Sequence, residues 1–269
     1  MDVLLLLKAA MLGIVEGLTE FLPISSTGHL IIAADLMGFT GRNAKVFEIA
    51  IQLGAILGVA WDCRARLRRV ATGLRNPVEQ RFVLNLLIAF LPAAGVGLLF
   101  HREIKEFLFN PVTVAWALIV GGIVILAIER LPIRQRVSGL DDIAPREAFI
   151  IGVAQVLSLF PGASRAGATI MGGLIAGLPR TTATEFSFFL AIPVMVAATI
   201  FELYGGLSAM SADDLWAFVV GFLMSYITAV IVVKLFLRYV SNHSFSVFAW
   251  YRIVFGGLVL GYFRWPAWT

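Results

Sequence analysis

The sequence predicts an all-α polytopic membrane protein, an inverted-topology repeat in which each half holds one re-entrant helix hairpin and three transmembrane helices. Three observations carry this. Of the 269 residues, 59% are hydrophobic and 14% are charged, whereas a soluble domain carries roughly 25% charged residues. The apolar stretches follow a long, short, long, long, long order, and that order occurs twice. The loops between them alternate between arginine-rich and arginine-poor. The chain reads as a single integral-membrane domain, with repeat 1 over about 1–130 and repeat 2 over about 143–269.

In chain order, the first helical segment covers about 3–21 and stops at Pro23. The second, about 25–37, is short and ends at Gly38. Segments over 44–62, 82–100 and 111–129 follow, then a polar stretch over 130–142. The sixth segment, 145–160, stops at Pro161, and the seventh, 164–178, is short again. The last three cover 182–204, 213–239 and 246–263. A helix needs about 20 residues to cross the hydrocarbon core, which the second and seventh segments lack. Each therefore pairs with its predecessor as a re-entrant hairpin, and broken backbone at that depth is tolerated only against protein or a wet cavity. Three full spans per half is an odd number, so the halves are inverted. Broken helices in corresponding places of inverted repeats point to a site near the midplane.

The halves also align by residue. Leu12-Gly13-Ile14-Val15-Glu16 lies against Ile151-Gly152-Val153-Ala154-Gln155, and Phe21 against Phe160. After a one-residue gap, Pro23 falls on Pro161 and Ser26 on Ser164, and further on Glu48 falls on Glu185. The offsets are 152 − 13 = 139, 164 − 26 = 138 and 185 − 48 = 137. Loop charge gives orientation by the positive-inside rule. Arg64, Arg66, Arg68, Arg69, Arg75 and Arg81 mark one cytoplasmic loop, and Arg130, Arg134, Arg136 and Arg146 mark the central one. Loops 101–110 and 208–214 lack such an excess and are placed outside. Both termini then lie outside; the first hairpin enters from the outer face and the second from the inner face.

Several classes are excluded. The net charge of +4 resides mostly in loop arginines, so it reports topology and not nucleic-acid binding. The single cysteine, Cys63, rules out an internal disulfide and a cysteine metal cluster; it reads as an ordinary loop thiol. The N-terminal apolar run is broken by Lys8 and leads into Glu16 and Glu20, so it is expected to stay on the mature protein.

The chemistry concentrates in Glu16-Gly17-Leu18-Thr19-Glu20-Phe21-Leu22-Pro23-Ile24-Ser25-Ser26-Thr27-Gly28-His29. Ionisable groups in such apolar surroundings cost about 3 kcal/mol each on insertion scales and mark functional sites. Glu16 and Glu20 are four residues apart, so they share a helix face. Such a pair shares a proton, meets a base, or binds a hard divalent cation such as Mg²⁺ or Ca²⁺. Ser25, Ser26 and Thr27 open a short helix, whose N-terminus suits an anion as well as a cap. His29 stands three residues after Ser26 and four after Ser25, within reach of either hydroxyl. Hydroxyl, imidazole and carboxylate together follow the logic of an activated nucleophile. His101 and His243 receive no role.

The partner stretch is Pro161-Gly162-Ala163-Ser164-Arg165-Ala166-Gly167-Ala168-Thr169. Gly162 allows close backbone approach. Arg165 opens a short helix and suits bidentate contact with phosphate oxygens, the bland alternative being a salt bridge to Glu16, Glu20, Glu48 or Glu185. Ser164 and Thr169 flank it, Thr169 one helical turn on. Glu48, Gln52 and Glu185 are polar groups in apolar spans, divided between supporting the site and packing helices. Together the two tips call for a phosphate or pyrophosphate presented from within the bilayer, hence a lipid phosphate.

These two stretches resemble the undecaprenyl-diphosphate phosphatase family of bacterial inner membranes, the bacitracin-resistance type. Similarity continues at Phe47-Glu48, Gln52-Leu53-Gly54, Gly139-Leu140-Asp141-Asp142 and Glu185-Phe186-Ser187-Phe188. The one departure is Ala166, where the family commonly has serine. The resemblance implies hydrolysis of undecaprenyl diphosphate to undecaprenyl phosphate and inorganic phosphate with a divalent cation. That reaction recycles the carrier lipid for cell-wall synthesis and confers bacitracin resistance. It implies a multi-pass inner-membrane protein with its site open to the periplasm, and membrane lipids but no nucleic acid as partners. A homodimer is compatible with it. On this reading Ser26 attacks the terminal phosphorus with His29 or Glu20 as base, Arg165 grips the diphosphate with Ser25, Thr27, Ser164, Thr169 and Gly162 around it, and Glu16 and Glu20 hold the cation. Direct attack by water is the rival mechanism, and transport of undecaprenyl phosphate the rival function.

Overall fold

A computed structural model describes residues 2–39, 44–100, 103–104, 108, 110–204 and 212–264. The described residues are all-helical apart from turns and loops. The helices are α1 (Val3–Thr19), α2 (Ser26–Leu36), α3 (Ala44–Asp62), α4 (Arg64–Thr72), α5 (Pro77–Leu99), α6 (Pro111–Arg130), α7 (Pro145–Val156), α8 (Arg165–Ile175), α9 (Arg180–Tyr204), α10 (Ala212–Val240) and α11 (Ser246–Arg264). Starts follow local chemistry. Asp2 accepts from the Leu4 amide, Asn76 from Val78 and Asn110 from Thr113, and Pro77 and Pro111 stand at first positions where no N–H is needed.

Five helices, α5, α6, α9, α10 and α11, are long and apolar enough to cross a membrane, and α3 with α4 forms a sixth candidate bent by 75°. By contrast α2 and α8 have 11 residues each and α7 has 12, about 16–18 Å at 1.5 Å per residue. The expected short second and seventh segments hold, whereas the sixth, expected to run long over 145–160, is a 12-residue helix followed by a tight turn over 157–159. Helix α4 is a correction, since its six-residue basic stretch was expected to be loop. Arg66 explains it. This buried side chain lies 3.2 Å from Glu79 and 2.6 Å from Asp141 and sits over the Phe82 ring at 4.5 Å. Those partners pin the basic turn down against α5 and the central loop. Most of loop 101–110, and residues 208–211 of the loop read over 208–214, lie outside the described residues.

The helices pack with a regularity that runs through both halves. Helix α1 packs on α10, and α7 packs on α5; α3 packs on α9, and α6 on α11. Both outer pairs rest on glycine. A Cβ on Gly13 would fall 2.2 Å from the Gly221 carbonyl oxygen, and one on Gly152 would fall 2.7 Å from that of Ala89. Small residues at such crossings let backbones meet where no hydrophobic effect drives helices together.

The register between the halves also needs correcting. Ser25 and Ser164, each immediately before a short helix, have φ of 69° and 72°, a region that costs non-glycine residues on the order of 1–3 kcal/mol. The short helices then match end to end: 165 − 26 = 139 and 175 − 36 = 139. Ser164 is therefore the counterpart of Ser25, not of Ser26, and Arg165 stands where Ser26 stands. No gap is needed, because 164 − 25 = 139 continues the offset of Gly13 and Gly152. The core beneath these tips includes Phe21, Phe186, Phe188, Phe236 and Phe245.

Candidate active site

The two breaks, 20–25 after α1 and 157–164 after α7, face each other across one pocket of about 230 Å³. Glu20, Ser25, Ser26, Thr27, Gly162, Ser164 and Arg165 line it, with Gln52 of α3 alongside. Glu20 sits between two partners. Its Oε2 accepts from Ser26 Oγ at 2.5 Å, and its Oε1 accepts from Arg165 Nη2 at 3.1 Å. The remaining reach of Arg165 is fixed by the Ser187 carbonyl at 3.1 Å, by Met195 Sδ at 3.5 Å, and by the Phe21 ring 5.5 Å away. The guanidinium is therefore held at the pocket wall by protein on one side. Its other side, with the free amides that open α2 and α8, bounds a space suited to an anion.

Of the other expected residues, Ser164 and Gly162 line the pocket in structural roles, and Thr169, Glu48 and Glu185 do not line it. Ser164 caps α8, its Oγ accepting from the Gly167 amide at 3.0 Å. Gly162, at φ 92°, has no room for a side chain, since a Cβ would sit 2.5 Å from the Val114 carbonyl oxygen. Thr169 is 1% exposed and turned away from the pocket, bonded to Ser187 Oγ at 2.6 Å. Glu48 is on an exposed face of α3, and Glu185 is half-buried away from the pocket.

His29 does not line the pocket. Its Nδ1 is 2.7 Å from the Ser25 carbonyl oxygen and its Nε2 is 2.7 Å from the Tyr251 hydroxyl. A carbonyl only accepts, so Nδ1 carries the proton; in the neutral ring Nε2 then accepts from Tyr251. The ring also stacks on Phe255 at 4.2 Å. Both nitrogens are thus engaged away from Ser26, whose hydroxyl donates to the Glu20 carboxylate instead.

Sequence reasoning passed over Arg252. This α11 side chain is 1% exposed and donates to five carbonyl oxygens. Those of Pro23 (3.2 Å), Gly162 (3.0 Å) and Ala163 (3.0 Å) belong to the two breaks, and those of Ala117 (3.1 Å) and Leu118 (3.3 Å) to α6. One cation thereby ties both interrupted backbones to one point. The available signal was a lone arginine inside an 18-residue span, Ser246–Phe263.

The model of the family described as "Bacitracin resistance protein BacA" matches residues 9–258. The chain belongs to this family. Among its relatives, the undecaprenyl-diphosphatase of Methylobacillus flagellatus is 56% identical over 98% of this chain and 100% of its own length. That of Nitrosomonas eutropha is 56% identical over 99% and 100%, and that of Nitrosospira multiformis 58% identical over 97% and 96%.

The resemblance brought a divalent cation with it, and the residues of this family member fit one. Glu16 is 1% exposed, and neither of its carboxylate oxygens has a hydrogen-bond partner. Such a carboxylate calls for a cation or a proton. Among the described residues no group of three or more His, Cys, Asp or Glu side chains is placed to hold a metal. A divalent cation, Mg²⁺ or Ca²⁺, would therefore rest on no more than the Glu16 and Glu20 carboxylates, with phosphate oxygens and water to complete it.

Proposed function

We propose that this chain hydrolyses undecaprenyl diphosphate to undecaprenyl phosphate and inorganic phosphate at the pocket between the two breaks. The carrying observation is that Glu20 holds the Ser26 hydroxyl on one oxygen and Arg165 on the other. That puts a nucleophile, its base and an anion clamp at one point. The diphosphate engages Arg165 and the free amides of the short helices. Ser26 Oγ bonds to the terminal phosphorus, its proton passes to Glu20 Oε2, and the bond to the bridging oxygen breaks, releasing the lipid monophosphate. Water then attacks the phosphoserine and frees inorganic phosphate. Arg165 offsets charge on the equatorial oxygens throughout. A divalent cation, when bound, supplies further charge neutralisation, and Glu16 and Glu20 are the residues that would hold it.

An inverted repeat is the arrangement that supports this site. Exchanging the halves turns the α1–α10 pair into the α7–α5 pair, which supports a two-fold relation between them; the odd number of spans per half makes that relation an inverted one. On this reading the hairpins enter from opposite faces, and the arginine-rich loops favour both termini and the first hairpin's entrance on the periplasmic side of the inner membrane.

Phosphate release by the purified, detergent-solubilised chain with Mg²⁺ and a prenyl diphosphate is the test. There is no membrane to cross in that assay, so turnover is expected of a phosphatase, and silence would favour transport.

A further inference from the structure

A second cavity adjoins the polar pocket. It is about 630 Å³ and lies between α5, α7 and α9, lined by Phe90, Ala93, Ala94 and Gly97 on α5 and by Val194 and Ala197 on α9, among others. Four residues, Ser158, Leu159, Val194 and Ala198, line both spaces, so the two lie side by side along one wall. The polarity changes along that line. At one end stand Arg165, Glu20 and Ser26; at the other the lining is aliphatic and aromatic apart from Gln155 and Ser158. Gln155 is spoken for at its donor end by the Ala89 carbonyl oxygen at 3.3 Å. At the far rim Leu98 and Ile200 are 67% and 62% exposed, which opens the groove to the surrounding hydrocarbon.

We propose that this groove binds the isoprene units next to the diphosphate, an inference that rests on the phosphatase reading and adds to it where the lipid lies. Three features select that occupant. The adjacency sets a tail on α5 and α9 directly beside a head at Arg165. Alanine and glycine at 93, 94, 97 and 197 leave width for a methyl-branched chain. The volume falls within the roughly 300–1,000 Å³ of small-molecule sites, enough for the first few isoprene units, and the open rim lets the rest of the chain run into lipid. Selection accordingly acts on the proximal units and not on total length.

The experiment measures phosphate release by the full chain in detergent against prenyl diphosphates of increasing length, for the unaltered protein and for Ala94→Phe and Ala197→Phe. Neither residue contacts the polar pocket. In the unaltered protein, KM is expected to fall over the first few isoprene units and then level. Each substitution should raise KM for farnesyl diphosphate at least tenfold and change turnover of methyl diphosphate, which has no isoprene unit, less than twofold. Unchanged KM for farnesyl diphosphate would overturn the groove. Photolabelling of the unaltered protein with a diazirine-bearing farnesyl diphosphate decides the matter independently of how the variants fold. Label on α5 and α9 is expected, and label confined to α2 and α11 would overturn the proposal. If no diphosphate is hydrolysed and the label still falls on α5 and α9, the phosphatase reading fails and the groove stands.

Discussion

Glu20 and Arg165, 145 residues apart in the chain, form a 3.1 Å ion pair with side chains 8% and 10% exposed. The pair joins the break after α1 to the helix that follows the break after α7. The other Glu20 oxygen accepts from Ser26 Oγ, which brings that hydroxyl to the same pair.

If Glu20 is the base, Glu20→Gln lowers kcat for phosphate release by about 10²–10⁴. Ser26→Ala should be at least as damaging and should abolish any trapped phosphoprotein. A phosphoprotein that persists in Ser26→Ala would transfer the nucleophile's role to water or another hydroxyl.

His29 acts on this account by holding the Ser25 carbonyl, so what matters is a donor at that position. His29→Gln, which keeps a donor, is expected to retain about tenfold more kcat than His29→Ala. Equal losses in both, with folding intact by thermal melt, would return the general-base role to the imidazole.

Removing Arg252 strands carbonyls of both breaks. Buried groups left unpaired cost about 1–3 kcal/mol each, so Arg252→Leu should lower the unfolding temperature in detergent markedly and abolish phosphate release with it. An unchanged melt would mean that the breaks hold themselves.

Gly13→Val places a side chain where a Cβ already lies 2.2 Å from the Gly221 carbonyl oxygen. Overpacking of this kind costs about 1–3 kcal/mol. Gly257→Ala, with nothing within 4 Å of the new carbon, is the neutral comparison, and the two melts should separate accordingly.

Much of this was legible because lipid imposes blunt rules. Span length separated the long helices from α2 and α8, and the motifs around Ser26 and Arg165 stood out as polar groups in apolar sequence. Other features rest on contacts far apart in the chain. Tyr251, which occupies His29, is 222 residues away, and no local pattern announces it. Arg252 was hidden because its partners are backbone carbonyls, which every residue possesses. The register slipped because matching serine to serine favoured Ser26, whereas the shared property of Ser25 and Ser164 is a backbone angle. Helix α4 was missed because its stability comes from Glu79 and Asp141, not from its own sequence.

The central claim is that Ser26 and Arg165, from opposite halves, serve one phosphoryl group. Measuring kcat/KM for phosphate release in Ser26→Ala, Arg165→Ala and the double variant tests it most directly. Residues that act as a unit are strongly non-additive, so the double variant should lose no more than the worse single variant. Losses that multiply, or full turnover by Arg165→Ala, would show that the two residues do not share a site.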